Sequence, residues 1–417
     1  MNILITGAGF ENKGAEAMLR TVQAELSKRL SRVSFYATVF KREKKQAFEA
    51  GFIPLDNEWL APWLLNYLTR AIRISRHAPH SMCIMFNQMI LSLLPKFSSA
   101  NINELNIDAL VDISGYCYHD GGVGRMINRV AGVRSSRKVI DKNYFMPQAW
   151  GGFTNTISKY WINQMHSQAT LLYSRDEVSS NYLKNSFIDE NTILESPDIA
   201  ILFKGDPISV GKAILSANSF VDSDRPIIGV VPNMRVYERT QGSGTGNEYV
   251  KTLEGLVQLC VDELGVNVAI LPNECILPGE DKPDDRFLCS LLASRFDMGE
   301  RVIALTGNYS ANEIKALIGN VDFLVASRFH SLVFALSQSV PVLALGWSHK
   351  YLELLKMFSL EKYVIPHDSL QSCDSRVLFH AAWQERHSNS EKIQSVLPTV
   401  KPMVSRLFDK LAESLRG

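Results

Sequence analysis

The sequence predicts an α/β protein with two Rossmann-like, doubly wound domains that face a cleft. Short apolar runs alternate with segments of helical periodicity along most of the chain, which is the pattern of βαβ units and parallel sheets. The scheme restarts after residues 204–225, a stretch that contains several glycine, proline and aspartate residues. Ligands of such sheets lie at the carboxyl ends of the strands, so two facing sheets would bind them in the cleft.

The chain length favours the same division, since 417 residues are too many for one ordinary domain. We predict an N-terminal α/β domain over residues 1–205 and a second α/β domain over residues 206–375. The remaining residues, 376–417, are predicted to form helices that pack back across the domains.

In the first half, the first βαβ unit is the clearest. An apolar run at residues 2–5 is followed by a loop and then by apolar residues at helical spacing from Ala15 to Leu30. Further strands are predicted at 34–39, 109–113, 144–146 and 169–173, with a helix at 177–184 and an apolar run at 199–203 that closes this half.

The second half repeats the scheme. Its strands are predicted at 227–231, 268–271, 302–305, 323–326 and 340–345. Its helices are predicted at 249–264, 311–318, 351–358 and 375–416, and a further helix starts with residues 331–336. Residues 235–246 are rich in glycine, threonine and charge, which predicts a mobile loop.

Residues 58–96 differ from the rest because they are rich in Trp, Leu, Ile and Met and also carry Arg70, Arg73, Arg76 and Lys96. Two interpretations stay open. The segment is a pair of helices packed on the core, or it is an amphipathic patch that touches a membrane or a lipid-linked substrate.

Composition excludes several classes of protein. The net charge is +1, so nothing in the charge balance favours nucleic acid as a partner. The cysteines form no CxxC pair and have no metal-ligand spacing with histidine, which indicates buried thiols in a reducing cytosol. The N-terminus lacks the features of a signal peptide, and no apolar run is long enough to span a membrane. We therefore expect a cytoplasmic protein.

The loop at residues 7–14 lies between a predicted strand and a predicted helix. Such a loop can present backbone N–H groups and a helix N-terminus to an anion or to a sugar hydroxyl. The spacing of Gly7, Gly9 and Gly14 is not that of the dinucleotide fingerprint. A ligand contact and a turn that merely reverses the chain both stay open.

The strongest constellation is Arg328, Phe329 and His330, which fall where a predicted strand ends and a helix begins. Lys350 follows the next predicted strand. The Arg328 guanidinium suits a carboxylate or a phosphate, and His330 can transfer a proton near neutral pH. Three such groups that converge on one cleft suit a small, multiply charged anion. The alternative is a structural histidine with Arg328 and Lys350 solvated outside.

Two further segments follow predicted strands. Arg175 can reach an anion, whereas Asp176 and Glu177 after it are typical of a helix N-terminus. In the glycine-containing run at residues 114–122, His119 and Asp120 are candidates for contact with an acceptor.

Together these segments resemble the polysaccharide pyruvyl transferase family over most of the chain. The most specific part, residues 310–358, contains Phe-Leu-Val-Ala-Ser-Arg-Phe-His, then Ala-Leu-Ser-Gln-Ser-Val-Pro-Val-Leu-Ala-Leu, then Lys350. Further landmarks are Asn-Lys-Gly-Ala-Glu-Ala-Met-Leu at 12–19, Met-Pro-Gln-Ala-Trp-Gly-Gly at 146–152, Ser-Arg-Asp-Glu at 174–177 and Ser-Pro-Asp-Ile at 196–199.

The resemblance implies a fold like that of the two-domain, GT-B type glycosyltransferases, with phosphoenolpyruvate as donor substrate and no cofactor. It implies that Arg328, Lys350 and Ser327 bind the donor, that Arg175 is a further anion contact, and that His330 is the general acid. The second domain would bind the donor, and the first the acceptor, which is a sugar, an oligosaccharide or a lipid-linked glycan.

The opening loop departs from the family, in which an aspartate usually follows the glycine. Here Ala15 follows Gly14, and Glu16 is the candidate to replace the family's aspartate. The base of the reaction is therefore left open. Acceptor contacts are expected from Asn12, Gly14, Glu16, His119 and Asp120.

The main alternative is a nucleotide-sugar glycosyltransferase of the same architecture. Such an enzyme needs an acid for the ribose hydroxyls, and the nearest acid after His330 is Glu353. A sugar-binding or assembly protein without catalysis is a third interpretation, against which the retained Arg328, His330 and Lys350 argue. We expect no metal requirement, and peripheral contact with the inner membrane face stays open.

Overall fold

The computed structural model describes residues 1–56, 62–75, 80–97, 105–136, 140–218, 224–279, 282–296, 301–370 and 374–417. Contacts divide the chain into two compact units. Unit 1 comprises residues 1–9, 22–199 and 403–417, and unit 2 comprises residues 10–21 and 200–402.

Unit 1 contains a fully parallel sheet of seven strands. They are β1 Asn2–Thr6, β2 Ser34–Val39, β3 Ile53–Asp56, β4 Ala109–Asp112, β5 Lys142–Gln148, β6 Leu171–Ser174 and β7 Ile193–Glu195. The helices are α1 Lys13–Arg29, which is shared with unit 2, α2 Lys44–Glu49, α3 Pro62–Ser75, α4 His80–Phe97, α5 Val123–Ser136, α6 Thr156–His166 and α7 Glu177–Lys184. The strand order is β3-β2-β1-β4-β5-β6-β7.

Unit 2 contains a fully parallel sheet of six strands. They are β8 Ile227–Val231, β9 Asn267–Ile270, β10 Val302–Ala304, β11 Phe323–Ala326, β12 Val342–Gly346 and β13 Val364–Pro366. The helices are α8 Ile208–Ala217, α9 Met234–Tyr237, α10 Glu248–Asp262, α11 Asp285–Ala293, α12 Ala311–Ile318, α13 Phe329–Leu336, α14 His349–Lys356, α15 Ser375–Gln384 and α16 Arg386–Arg416, the last shared with unit 1. The strand order is β10-β9-β8-β11-β12-β13.

The central strands are largely apolar because parallel sheets are covered on both faces. In β11, the run Phe-Leu-Val-Ala is wholly buried, and β1 contributes the buried run Ile-Leu-Ile. Each sheet reverses its strand order at one point, between β1 and β4 in unit 1 and between β8 and β11 in unit 2. The predicted α/β class with two doubly wound sheets is confirmed.

Some elements differ from the sequence prediction. The last strand of the first sheet is β7, whereas the apolar run at 199–203 begins with a single 3-10 turn at Ile199–Leu202. The predicted loop at 235–246 begins within the short helix α9. The change of unit falls after Ile199 rather than after residue 205, and α16 changes unit after Pro402.

Helices α3 and α4 form the pair that one interpretation of residues 58–96 predicted. Leu64, Leu68 and Ile72 of α3 and Ile90 and Leu91 of α4 are buried in the core of unit 1. The opposite face of α4 carries three exposed methionines, Met82, Met85 and Met89.

Three observations concern the described residues as a whole. Five cysteines lie among them, all with free thiols, and four of these are buried. Within the described ranges, no helix is both long enough and apolar enough to cross a membrane. In the same ranges, no group of three or more His, Cys, Asp or Glu side chains is placed to hold a metal ion.

Candidate functional site

The switch point of the unit 2 sheet lies between the neighbouring strands β8 and β11. Doubly wound sheets bind their ligands at such a point, beyond the carboxyl ends of the strands. The loop after β11 begins with Ser327 and Arg328 and leads directly into α13. The loop after β8 contains Asn233, which caps α9. The predicted constellation therefore lies where this fold places ligands.

Ser327 is wholly buried beneath this edge of the sheet. Its Oγ accepts a hydrogen bond of 2.6 Å from the Tyr249 hydroxyl, and its carbonyl oxygen accepts bonds from Asn233 Nδ2 at 2.6 Å and the Tyr351 hydroxyl at 2.8 Å. Burial raises the pKa of both tyrosines, so both remain protonated donors. These bonds fix the loop after β11, while the donor contact predicted for Ser327 stays a prediction.

Arg328 is buried at the N-cap position of α13. Its Nη2 donates two hydrogen bonds of 2.6 Å, one to Glu274 Oε2 and one to Asp285 Oδ1. Its Nε is also buried and has no hydrogen-bond acceptor among the described residues. The sequence predicts a guanidinium open to an anion, whereas in the structure two carboxylates hold it.

The two carboxylates on Arg328 are not equivalent. Asp285 is wholly buried, and its Oδ2 also accepts the backbone N–H groups of Asn273 at 3.2 Å and Glu274 at 2.9 Å. The Glu274 side chain is 22% exposed, and Arg328 is its hydrogen-bond partner. The Arg328 charge lowers the pKa of Glu274, whereas burial raises the pKa of Asp285.

The start of α1 lies against the same cluster. Asn12 forms an isolated antiparallel bridge with Glu274, and the Lys13 N–H donates to the Asn273 carbonyl oxygen at 2.9 Å. The Asn12 side chain caps the helix, since its Oδ1 accepts the Gly14 N–H at 3.0 Å. Residues 10–21 therefore group with unit 2 although they follow the first strand of unit 1.

His330 is the second residue of α13, and its ring lies on Gly14 of α1. A Cβ atom on residue 14 would stand 2.0 Å from Nδ1 and 2.5 Å from Cβ of His330. The close approach of the ring, rather than the backbone conformation, therefore requires glycine at this position. The Phe329 ring packs edge to face on His330, with 5.3 Å between the centroids. The loop at residues 7–14 and the Arg328–His330 segment are thus in contact.

Lys350 is the second residue of α14 and lies among aromatic rings. Its Nζ is 4.6 Å from the ring centroid of Trp347 and 5.5 Å from that of Phe329. The Arg239 guanidinium lies over the same Trp347 ring at 4.5 Å. The face of an aromatic ring attracts a cation at such distances. Lys350 and His330 therefore contact the same Phe329 ring.

Glu16 is buried in the first turn of α1. Its Oε1 accepts a hydrogen bond from Arg20 Nε at 2.9 Å, and its Oε2 accepts the N–H of Ala311, the first residue of α12, at 3.1 Å. A carboxylate at a helix N-terminus is stabilising. The geometry accounts for Glu16 as a structural group, and its acceptor contact stays a prediction.

Arg175 lies in unit 1, directly after β6. It is buried, and its Nη1 donates to Asp198 Oδ2 at 2.6 Å. Asp176 caps α7 as predicted, since its side chain accepts the Ser179 N–H at 2.7 Å. The guanidinium thus already has a carboxylate partner, and the predicted anion contact of Arg175 stays a prediction.

His119 and Asp120 also lie in unit 1. The His119 Nδ1 accepts the Gly121 N–H at 3.1 Å. The Asp120 carboxylate accepts hydrogen bonds from Thr154 Oγ1 at 2.6 Å and Asn155 Nδ2 at 2.9 Å, at the start of α6. Asp120 therefore ties two loops together, and the acceptor contacts of both residues stay predictions.

Sequence reasoning missed the acids at Arg328. Glu274 follows β9, and Asp285 is the first residue of α11. Two sequence features could have pointed to these acids. One is the Pro-Asn-Glu run directly after a strand, and the other is the Asp-Asp pair at a helix start. Sheet order brings both segments beside the loop after β11, because β9 and β11 are the two neighbours of β8.

Solved structures share this architecture over nearly the whole chain. UDP-GlcNAc 2-epimerase from Neisseria meningitidis has a TM-score of 0.58 at 12% identity, with 98% of this chain and 100% of that chain covered. Anabaena HepE has a TM-score of 0.56 at 11% identity, with 99% and 100% covered. At these identities the likeness shows the fold alone. The chain has the two-domain, GT-B type of fold that the resemblance implied.

The sequence itself defines the family. A family model for polysaccharide pyruvyl transferases matches residues 12–349, so the chain belongs to the polysaccharide pyruvyl transferase family. The matched region contains Asn12, Gly14, Arg328 and His330 and ends one residue before Lys350.

A curated relative is similar over a shorter region. The amylovoran biosynthesis protein AmsJ of Erwinia amylovora is 19% identical over 218 residues. That match covers 52% of this chain and 52% of AmsJ, so the chain spans about half the length of this relative.

Proposed function

We propose that this protein transfers the pyruvyl group of phosphoenolpyruvate, as a ketal, to a sugar of a cell-surface polysaccharide or its precursor. The observation that supports this best is the contact between Gly14 and His330 beside Arg328, within the region that matches the family. This contact lies at the edge of the unit 2 sheet where doubly wound sheets bind their ligands, and it combines a proton-transfer group, His330, with the guanidinium of Arg328.

The donor carries a carboxylate and a phosphate, and the cations of unit 2 suit both groups. Arg328 offers a planar guanidinium, and Lys350 offers a compact ammonium group held by aromatic rings. Contacts of this kind with the donor need no bound metal ion, so we expect turnover to persist in the presence of a chelator.

In the proposed reaction, the protonated His330 gives its proton to the methylene carbon of the donor. A sugar hydroxyl attacks the adjacent carbon, where positive charge develops, and its proton passes to a base. Phosphate then leaves with its bonding electrons, and a second hydroxyl adds to the same carbon and loses its proton. One hydroxyl proton replaces the one that His330 gave to the new methyl group, and the other leaves with the phosphate. No oxidation occurs, so no redox cofactor is required.

The direct test of the donor is ligand-dependent stability. A ligand that binds the native state raises the unfolding temperature by mass action. We expect phosphoenolpyruvate to stabilise the protein, and UDP-glucose to leave the unfolding temperature unchanged. A shift with UDP-glucose alone would overturn the proposal and favour the glycosyltransferase alternative, for which Glu274 would be the candidate ribose-binding acid.

We also infer that the protein binds its acceptor substrate at the inner membrane face. On α4, Met82, Met85 and Met89 are each more than half exposed, and Tyr67 of α3 is 67% exposed. Arg70 beside it on α3 is exposed as well.

The charge of this segment is complementary to an anionic lipid surface. Residues 62–97 contain Arg70, Arg73, Arg76 and Lys96 and no acidic residue. Arg76 and the side chains of Arg73 and Lys96 lie outside the described part of the structure. Exposed apolar side chains with basic neighbours are typical of peripheral membrane contacts.

Vesicle sedimentation tests this contact. We expect binding to phosphatidylcholine vesicles that contain phosphatidylglycerol and little binding to phosphatidylcholine alone. Met85→Glu should reduce binding, whereas Phe48→Glu, at a residue 73% exposed elsewhere in unit 1, should not. Equal binding of the wild-type protein and Met85→Glu would remove the membrane contact from the proposal.

A further inference from the structure

Glu274 and Asp285 leave Arg328 no free two-pronged edge for a ligand. A guanidinium binds a carboxylate or a phosphate through two parallel N–H groups, from Nε with Nη2 or from Nη1 with Nη2. Nη2 belongs to both edges. Because both of its N–H groups are already donated, to Glu274 and to Asp285, neither edge is complete for an incoming anion.

Only one of the two carboxylates is free to move. Asp285 has no exposed surface, and backbone N–H groups hold both of its oxygens. The Glu274 backbone is fixed by the bridge to Asn12 and by its N–H bond to Asp285. Its side chain, in contrast, is 22% exposed and accepts its hydrogen bond from Arg328.

Charge leads to the same conclusion. One guanidinium and two carboxylates carry a net charge of −1, which repels an anion. If Glu274 turned away from Arg328 towards solvent, the remaining Arg328–Asp285 pair would be neutral, and one N–H of Nη2 would become available.

We propose that Glu274 is a displaceable counter-ion of Arg328. It holds the guanidinium in the ligand-free protein, and the carboxylate or phosphate of the donor takes its place. Asp285 remains bonded throughout and keeps Arg328 in position. The identity of the donor rests on the proposed function, but the exchange of one anion for another does not. Glu274 is therefore a positioning residue that lowers donor affinity until it is displaced.

The test compares anion affinity in the wild-type protein and in Glu274→Gln, which keeps the shape and removes the competing charge. Titration calorimetry with phosphoenolpyruvate, and separately with inorganic phosphate, should give about tenfold tighter binding in the variant, the scale of one charge-assisted contact. Glu254→Gln is the matched control. It removes the same charge from a surface pair with Arg295 in unit 2 and should bind as the wild-type protein does.

Kinetics should report the same change as a lower KM for phosphoenolpyruvate, with kcat altered less. Unchanged or weaker binding of both anions to Glu274→Gln would overturn the proposal. If phosphate alone binds more tightly and phosphoenolpyruvate binds neither protein, the counter-ion role is supported and the proposed function fails.

A structure of the wild-type protein with bound phosphoenolpyruvate or phosphate tests the inference without any substitution. The exchange requires Glu274 Oε2 to lie beyond hydrogen-bond distance of Arg328 Nη2, that is, farther than about 3.5 Å. A ligand-bound structure that keeps the 2.6 Å contact would contradict the proposal.

Discussion

The two sheets have the same kind of switch point but different chemistry at it. In unit 1, Asp112 ends β4 and forms a 2.8 Å ion pair with Arg129, both almost wholly buried. The Asp112 carboxylate also accepts hydrogen bonds from the Tyr118 hydroxyl at 2.8 Å and from Gln148 Nε2 at 2.7 Å. The three Arg129 guanidinium nitrogens are buried without a hydrogen-bond acceptor among the described residues, so this pair presents no polar group to solvent.

In unit 2, the corresponding pair is Arg328 with Asp285, and a third charged group, Glu274, is partly exposed beside it. His330 and Lys350 are also partly exposed. Both switch points thus contain a buried Arg–Asp pair, and they differ in the partly exposed residues beside the pair in unit 2.

The largest expected effect concerns His330. Replacement by glutamine keeps a hydrogen-bond donor but removes proton transfer near neutral pH. We expect turnover to fall by about 10²–10⁴-fold, with a smaller change in phosphoenolpyruvate affinity. His380→Gln, at a surface pair with Glu263, is the control and should retain full turnover. A wild-type rate in His330→Gln would show that the histidine is structural.

The paired arginines test the comparison itself. Arg328→Met and Arg129→Met each leave a buried carboxylate without its cation, which costs about 3–5 kcal/mol of unfolding free energy. Urea denaturation should show comparable losses in both variants. Phosphoenolpyruvate affinity should fall only in Arg328→Met. A similar loss of affinity in Arg129→Met would break the distinction between the two switch points.

Unit 2 also contains a buried lysine, Lys315, whose hydrogen-bond acceptor is a carbonyl oxygen rather than a carboxylate. Its Nζ donates to the carbonyl oxygen of Phe203. Burial, with a contribution from Lys401, lowers its pKa from 10.5 to about 7. The unfolded chain then binds more protons than the native protein between these values, so stability should rise with pH from about 7 to 10.5.

The slope from a single lysine is at most about 1.4 kcal/mol per pH unit. Lys315→Met should therefore flatten the rise in unfolding free energy between pH 7 and 9, measured by urea denaturation. Lys356→Met, on α14 of unit 2, is the control and should leave the slope unchanged. A slope in Lys315→Met equal to that of the wild-type protein would contradict the burial argument.

The smallest expected effects are those of alanine substitutions at two helical glycines, Gly14 and Gly255. Gly14→Ala places a methyl group inside the His330 ring contact, so we expect turnover to fall by about tenfold as the ring shifts. Gly255→Ala in α10 meets no atom within 4 Å and should raise the unfolding free energy by about 0.5–1 kcal/mol. Full activity in Gly14→Ala would mean that the ring position is not critical.

The local sequence pattern was sufficient to predict the bounds of helices and strands whose ends carry clear signals. The bounds of β2, β8, β11, α7 and α12 are those predicted from the sequence. In α12, Ser310 and Glu313 form a capping box, a signal that is readable over four residues. The missed strands β3, β7 and β13 are only three or four residues long, too short to display a period.

The candidate site was predictable only in part, because residue type does not reveal which way a side chain turns. Arg328 and His330 were located by their place after a strand. Arg175, directly after β6, and Asp120, in the loop after β4, instead form hydrogen bonds with other side chains of unit 1. Glu274 could not be placed, because its contact with Arg328 depends on strand order rather than on sequence spacing.

The bridge between Asn12 and Glu274 makes unit 2 discontinuous along the chain. An N-terminal truncation that removed residues 1–14 would delete a central strand of the first sheet and, at the same time, the helix start that lies on His330. Proteolysis within residues 7–14 would likewise separate the first strand from that helix start. The integrity of the N-terminus and the chemistry near residue 330 are therefore linked, so a trimmed protein is expected to lose function well before its second sheet unfolds.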